Sequence, residues 1–187
     1  MNKNIGILGG DLRISKLAML LAKDGYKVYT YAMEKMECDE SIKNGIEMKS
    51  TVEQMAENVD MVISSIPLSR DGKTVVTPLS GEEVYIDEVF KKLQGKTFIA
   101  GDIKEDAYSK AVDNKIELID ILDIEELAIL NAIPTAEGAM QKAMELSEIT
   151  LHGNNSLVLG YGRIGKILSK MLLRNRGKCI LCCEERG

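Results

Sequence analysis

Short apolar runs of four or five residues recur along this chain, separated by longer stretches in which apolar residues return every three or four positions. This alternation restricts the fold more than any other feature of the sequence. Buried parallel strands read as continuous apolar runs, and the helices that cross between them read as amphipathic ones. The expected strands are Asn4 to Leu8, Lys27 to Tyr31, Met61 to Ser65, Thr97 to Ala100 and Glu117 to Ile121. Between them, Ile14, Leu17, Ala18 and Leu21 mark one helix, and Val52, Met55 and Ala56 a shorter one. A third, Glu82 to Leu93, carries Val84, Ile86, Val89, Phe90 and Leu93. Together these describe a five-stranded, doubly wound domain ending near residue 125.

Behind it, Pro134 is expected to end one linking helix and to stand at the first position of the next, with Thr135, Glu137 and Gly138 in its first turn. The polar turn His152-Gly153-Asn154-Asn155 then precedes Ser156 to Leu159, which again reads as a buried strand. The expected fold is therefore α/β, a doubly wound (Rossmann-like) parallel sheet followed by the first βαβ of a second Rossmann unit. Residues 1–125 form the first domain, 126–153 the linking helices and 154–187 an incomplete dinucleotide-binding unit.

Each unit has a glycine turn after its first strand, and the two differ in chemistry. Gly160-Tyr161-Gly162-Arg163-Ile164-Gly165 satisfies GxGxxG, whereas Gly9-Gly10-Asp11-Leu12-Arg13-Ile14 does not. The fingerprint requires a tight turn, a residue without Cβ where the pyrophosphate approaches, and close packing of helix on strand. In the first turn the second and third of those positions hold Asp11, which repels a pyrophosphate, and Ile14. No acidic residue ends Tyr29-Thr30-Tyr31 to hold a ribose. The second turn opens the helical pattern Ile164, Ile167, Leu168, Met171 and Leu172, and Lys178 to Cys183 reads as the next strand. The cofactor-binding candidates are Gly160, Gly162, Arg163, Ile164, Gly165 and Glu184. Glu184 or Glu185 favours a free ribose 2′-hydroxyl, as in NAD, while Arg186 suits the 2′-phosphate of NADP, so both cofactors stay open. Only 22 residues follow Gly165, too few for the third strand of a mononucleotide-binding half. Hence a truncated product, or surface covered by another chain, is expected.

Composition removes several classes of function. With 24 basic and 29 acidic residues and a net charge of −5, there is no basic stripe to neutralise nucleic-acid phosphates or an anionic membrane. No apolar run approaches the roughly 18 residues of a membrane span, and Met1-Asn2-Lys3-Asn4 leads into a strand without a signal-peptide core, so a cytoplasmic location is expected. Cys38, Cys179, Cys182 and Cys183 make a poor disulfide framework and read as reduced thiols. Cys179-x-x-Cys182-Cys183 lacks a second CxxC, the sole histidine is His152, and no metal is expected. The segment Pro67-Leu68-Ser69-Arg70-Asp71-Gly72-Lys73 has the composition of a loop at the carboxyl edge of the sheet, where ligands bind in such folds.

One long stretch is more specific than the glycine fingerprint. Ala128-Ile129-Leu130-Asn131-Ala132-Ile133-Pro134-Thr135-Ala136-Glu137-Gly138-Ala139, followed by Thr150-Leu151-His152-Gly153 and Val158-Leu159 through Gly165, resembles the A subunit of bacterial dipicolinate synthase. The opening Ile7-Leu8-Gly9-Gly10-Asp11-Leu12-Arg13 is similar to that family's amino end, and the resemblance reaches about residue 180. It implies a sporulation enzyme of the mother-cell cytoplasm, working beside a flavoprotein-like B subunit. The implied reaction is oxidation of a dihydrodipicolinate-level precursor to pyridine-2,6-dicarboxylate with NAD or NADP, the amino-terminal domain serving the substrate. Family members are longer than this chain.

Such a dicarboxylate substrate calls for cationic or backbone donors, and Arg13, Arg70 and Lys73, with Asp11 beside Arg13, form the substrate-binding set. Asn131, Thr135 and Glu137, at the junction of the units, are the candidate catalytic residues. Glu137 is the proton acceptor if it is partly desolvated; otherwise Thr135 and Glu137 serve a helix start. The alternatives are a non-catalytic truncated domain that binds substrate or a partner subunit, and another two-domain NAD(P)-dependent dehydrogenase. Self-association into a homo-oligomer is a further expectation from the unfinished unit.

Overall fold

The computed structural model describes residues 4–38 and 43–182 and divides into two compact units, Met1–Ile121 and Leu122–Gly187. In the first unit the chain runs β1 (Asn4–Leu8), α1 (Leu12–Lys23), β2 (Lys27–Tyr31), β3 (Ile46–Met48), α2 (Val52–Ala56) and β4 (Met61–Ser64). It continues through α3 (Ile86–Lys92), β5 (Thr97–Ala100), α4 (Glu105–Asp113) and β6 (Glu117–Asp120). All six strands are parallel, in the order β3-β2-β1-β4-β5-β6. The order reverses between β1 and β4, which makes their carboxyl ends the switch point of a doubly wound sheet.

Side-chain alternation along these strands builds one core on each face. Ile5, Ile7 and Val28 pack with Ile14 and Ala18 of α1 on one side. Leu8, Tyr29, Val62, Phe98 and Ala100 pack with α2, α3 and α4 on the other. There Phe90 of α3 meets Phe98 of β5 edge to face, ring centroids 5.2 Å apart.

Three features differ from the sequence expectation. The sheet has six strands, because the three-residue β3 pairs with β2 at the edge; its exposed Glu47 and Met48 give no alternating signal. The third helix begins at Ile86, since Val75 and Val84 are joined by a 2.8 Å backbone bond and residues 74 and 85 form an antiparallel bridge instead. Helix α4 has no strong apolar pattern, because the residues it buries are alanines, Ala107 and Ala111.

The second unit comprises α5 (Glu125–Leu146), β7 (Ser156–Leu159), α6 (Arg163–Arg174) and β8 (Cys179–Cys182), with β7 and β8 parallel. The expected break at Pro134 does not occur, and the linking helices are one 22-residue helix. A proline there removes its own N–H, the donor to the Leu130 carbonyl, and crowds that carbonyl with its ring. One residue later the Thr135 hydroxyl donates to the Asn131 carbonyl at 2.7 Å, and Ala128, Ala132 and Ala136 are buried at a spacing of four. Thr135 and Glu137 are therefore interior helix residues and do not serve a helix start. Cys179 and Cys182 are three apart on a strand and so face opposite sides of it; Cys183 lies outside the described residues.

Candidate functional site

The turn between β7 and α6 gives each glycine of the fingerprint a distinct physical task. Gly160 sits at φ +97°, left-handed backbone that a side chain resists, and its N–H donates to the Cys182 carbonyl at 2.7 Å. Gly162 is the N-cap of α6, and a Cβ there would meet no atom within 4 Å. At Gly165 a Cβ would collide with the Gly160 carbonyl oxygen, so only glycine lets the helix lie this close to the turn. The first intrahelical bond of α6 runs from Lys166 N–H to the Gly162 carbonyl at 3.0 Å. The N–H groups of Arg163, Ile164 and Gly165 consequently have no acceptor within the helix, and no side chain caps them. An unfilled helix start with open space before it is suited to an anion.

A cavity of about 580 Å³ adjoins this turn. Its floor includes Gly160, Gly162, Arg163, Ile164 and Gly165, and its opposite wall is α5, through Ala128, Asn131, Ala132 and Thr135. Two of the three candidate catalytic residues, Asn131 and Thr135, are thus gathered at the glycine turn. Glu137 does not line the cavity and is exposed. Two residues beyond Thr135 it lies about 200° round the helix. The Arg163 guanidinium pairs with Glu125 at 3.2 Å, an exposed ion pair of modest worth. Glu125 and the apolar wall at Ala128, Ala132 and Leu168 are site residues that sequence reasoning missed. The signal for Ala128 and Ala132, the four-residue spacing of small residues on α5, is hidden by the expected break at Pro134. The candidate ribose-binding Glu184 lies outside the described residues.

The first glycine turn reaches its helix through an N-cap of the same conformation, although Gly10 adopts a positive φ of 98° that Tyr161 does not, and it fills the helix start differently. Asp11 is the N-cap of α1 with φ −95° and ψ −166°, close to the −78° and −163° of Gly162 in α6. Its carboxylate accepts the Arg13 N–H at 2.9 Å, so the helix start is occupied from within. Partial burial pushes this carboxyl up, but the Arg13 side chain and backbone outweigh burial and hold it below the usual carboxylate range. The Gly10 N–H donates to the Val76 carbonyl at 2.9 Å, and Val75, Val76 and Thr77 close over Gly9, where a Cβ would meet Thr77 at 2.7 Å. At the end of β2, where a dinucleotide site keeps its ribose-binding acid, Tyr31 donates to Glu82 at 3.0 Å. Burial first, and then Glu82, pushes the Tyr31 hydroxyl up to about 12.

The remaining substrate candidates occupy the carboxyl edge of this sheet. Arg13 donates through Nε and Nη2 to Asp11 and through Nη2 to the Ile66 carbonyl just beyond β4. Arg70 and Lys73 are exposed on a turn organised by Asp71. That carboxylate accepts the Ser69 hydroxyl at 2.9 Å and the N–H groups of Lys73 and Thr74, both at 2.8 Å. The Thr74 and Lys73 N–H groups, followed by Ser69, hold the Asp71 carboxyl far below the usual carboxylate range. Among the described residues, no group of three or more His, Cys, Asp or Glu side chains is placed to hold a metal ion. No helix among them is long and apolar enough to cross a membrane.

Comparison with known proteins gives a consistent result. The family model for the N-terminal domain of the dipicolinate synthase A subunit matches residues 4–122. A curated relative, the dipicolinate synthase A subunit of Bacillus subtilis, is 24% identical over 169 residues, covering 89% of this chain and 56% of its own length. The crystal structure of the dipicolinate synthase A subunit from Bacillus halodurans superposes with a TM-score of 0.85 at 23% identity, covering all of this chain and 63% of its own. That of the Bacillus subtilis protein gives 0.80 at 20% identity, covering all of this chain and 62% of its own. The chain thus spans under two thirds of the length of these relatives and shares their Rossmann-like fold. On the strength of the match across residues 4–122, the chain belongs to the family of dipicolinate synthase A subunits.

Proposed function

We propose that the chain carries the substrate side and a dinucleotide-binding turn of an NAD(P)-dependent dipicolinate synthase, oxidising a dihydrodipicolinate-level precursor to pyridine-2,6-dicarboxylate during sporulation. The observation that carries this reading is the glycine turn at 160–165, with its three separate glycine tasks and an unfilled helix start beside a cavity. Gly160, Gly162, Gly165 and the first N–H groups of α6 would hold the pyrophosphate of NAD or NADP. When bound, the nicotinamide supplies a hydride acceptor, and the precursor loses that hydride and a ring proton as it becomes aromatic.

The chain's own residues bind and orient. Asn131 presents an amide and Thr135 a hydroxyl at the cavity wall, and the Thr135 hydroxyl is already committed to the Asn131 carbonyl. The apolar wall at Ala128 and Ala132 excludes water from that side. In the first unit, Asp11 and Arg13 stand at the switch point, and Arg70 and Lys73 on the loop that follows β4. A dicarboxylate is the ligand such cations suit. A flavoprotein-like B subunit in the mother-cell cytoplasm is the proposed partner.

Titration of NADH and NADPH into the 187-residue chain, followed by nicotinamide fluorescence, tests the reading. Saturable binding of one or both is expected, with affinity lowered at least about tenfold by Gly162→Val, which fills the approach to the helix start. No binding at millimolar cofactor would overturn it.

A further inference from the structure

At the switch point of the first unit, Arg13 is fixed in an unusual way for an exposed arginine. Its Nε donates to both Asp11 oxygens at 3.1 Å, and its Nη2 donates to Asp11 Oδ2 at 2.9 Å and to the Ile66 carbonyl at 2.7 Å. One edge of the guanidinium is thereby fully used, and it bridges the turn after β1 to the turn after β4. Those are the two strands between which the sheet order reverses, the place where open α/β sheets bind ligands. Among the described residues, Nη1 and its two N–H groups take no partner, and the side chain remains 61% exposed.

A planar cation locked along one edge presents its other end without the usual loss of rotamer freedom on binding. Asp11 is held in turn, since the same carboxylate caps α1 through the Arg13 N–H. The alternative ligand for this turn, a dinucleotide, is displaced by the Asp11 carboxylate and by the Val76 carbonyl on the Gly10 N–H. Arg70 and Lys73 differ from Arg13: among the described residues, no hydrogen bond ties either side chain to the sheet edge.

We infer that Arg13, oriented by Asp11 and the Ile66 carbonyl, is the arm that takes one carboxylate of a planar aromatic dicarboxylate in the first unit. This rests on the proposed function for the class of substrate, and on the geometry of the first unit for the residue and its role. Asp11 is a positioning residue, acting through Arg13.

The test is calorimetric titration of pyridine-2,6-dicarboxylate into the full chain and its variants at fixed ionic strength, with the NADH titration run in parallel. Arg13→Gln is expected to weaken dicarboxylate binding by about tenfold to a hundredfold, the range for losing a charge-assisted hydrogen bond. Arg13→Lys should restore only part of the loss, because an ammonium cannot hold Asp11 along one edge and a ligand at the other. Lys104→Gln removes the same charge near the end of β5 and should leave binding unchanged. Asn caps a helix as well as Asp does, so Asp11→Asn keeps α1 intact while removing the carboxylate that holds the guanidinium; the lost orientation outweighs the lost anionic repulsion, and binding should weaken several-fold. Binding unaffected by Arg13→Gln, or tightened by Asp11→Asn, overturns the inference, as does wild-type protein that ignores the dicarboxylate while binding NADH. Failure of the NADH titration instead strikes the proposed function.

Discussion

Asp71 and Glu137 show how differently two carboxylates in this chain are placed. Asp71 is the hub of its turn, with its carboxylate saturated by the donors of Ser69, Lys73 and Thr74. Its folded pKa is depressed, so its contribution to stability is complete above the unfolded value near 4 and disappears only as pH falls through the lower folded value. The amides of Lys73 and Thr74 should therefore keep their chemical shifts while ordinary carboxylates titrate at about pH 4, and move only in stronger acid. An Asp71 carboxyl midpoint near 4 would contradict the hydrogen-bond arrangement. Glu137, by contrast, is exposed and off the cavity wall. General bases contribute about 10²–10⁴-fold to a rate. Turnover by a full-length relative carrying the Glu137→Gln equivalent should fall by less than that range, and a loss within it would restore Glu137 as proton acceptor.

Helix α5 carries the clearest lesson about what the sequence shows. Interior proline costs about 3 kcal/mol relative to alanine in an exposed helix, which is why Pro134 reads as a boundary. In the folded chain the continuous seam of Ala128, Ala132 and Ala136 outweighs that penalty. Pro134→Ala should therefore stabilise the second unit by about 1–3 kcal/mol, measured by urea unfolding, since it restores the donor to the Leu130 carbonyl. The strands at the centre of the sheet were legible because β1, β2, β4 and β5 are apolar runs of almost unmixed sign. Strand β3 was not, being three residues long and mostly exposed, nor was α4, whose buried positions are alanines with little hydropathic contrast. At the site, the glycine tasks follow from spacing alone, since a missing Cβ is visible in a sequence. The gathering of Asn131 and Thr135 against that turn is not visible there, because it depends on α5 continuing through Pro134. The closure of the first turn was equally hidden, being made by the Val76 carbonyl and the Val75 and Thr77 side chains some 65 residues away.

The two units differ as folded bodies. The first buries an aliphatic core on each face of its sheet, with Phe90, Phe98 and Tyr29 added on one of them. In the second, Leu157, Leu159 and Ile180 of the two-stranded sheet are 60%, 78% and 61% exposed, and Val158 is the buried member of the pair. At about 25 cal/mol per Å² of apolar area, this leaves the second unit with a much smaller driving force. Hydrogen exchange should show the amides of β7 and β8 exchanging well before those of β1, β4 and β5, as separate cooperative units do. Added NADH should slow exchange selectively across residues 156–165, because a ligand stabilises the state that binds it. Uniform protection across both units would contradict this division.

The paired N-caps, Asp11 and Gly162, carry a practical consequence. The first turn travels with its own counter-ion, whereas the second must borrow one from solution. Under the proposed function, phosphate or sulfate in a buffer competes with the cofactor for the start of α6 and leaves the start of α1 untouched, so affinities measured in such buffers should fall below those measured without them.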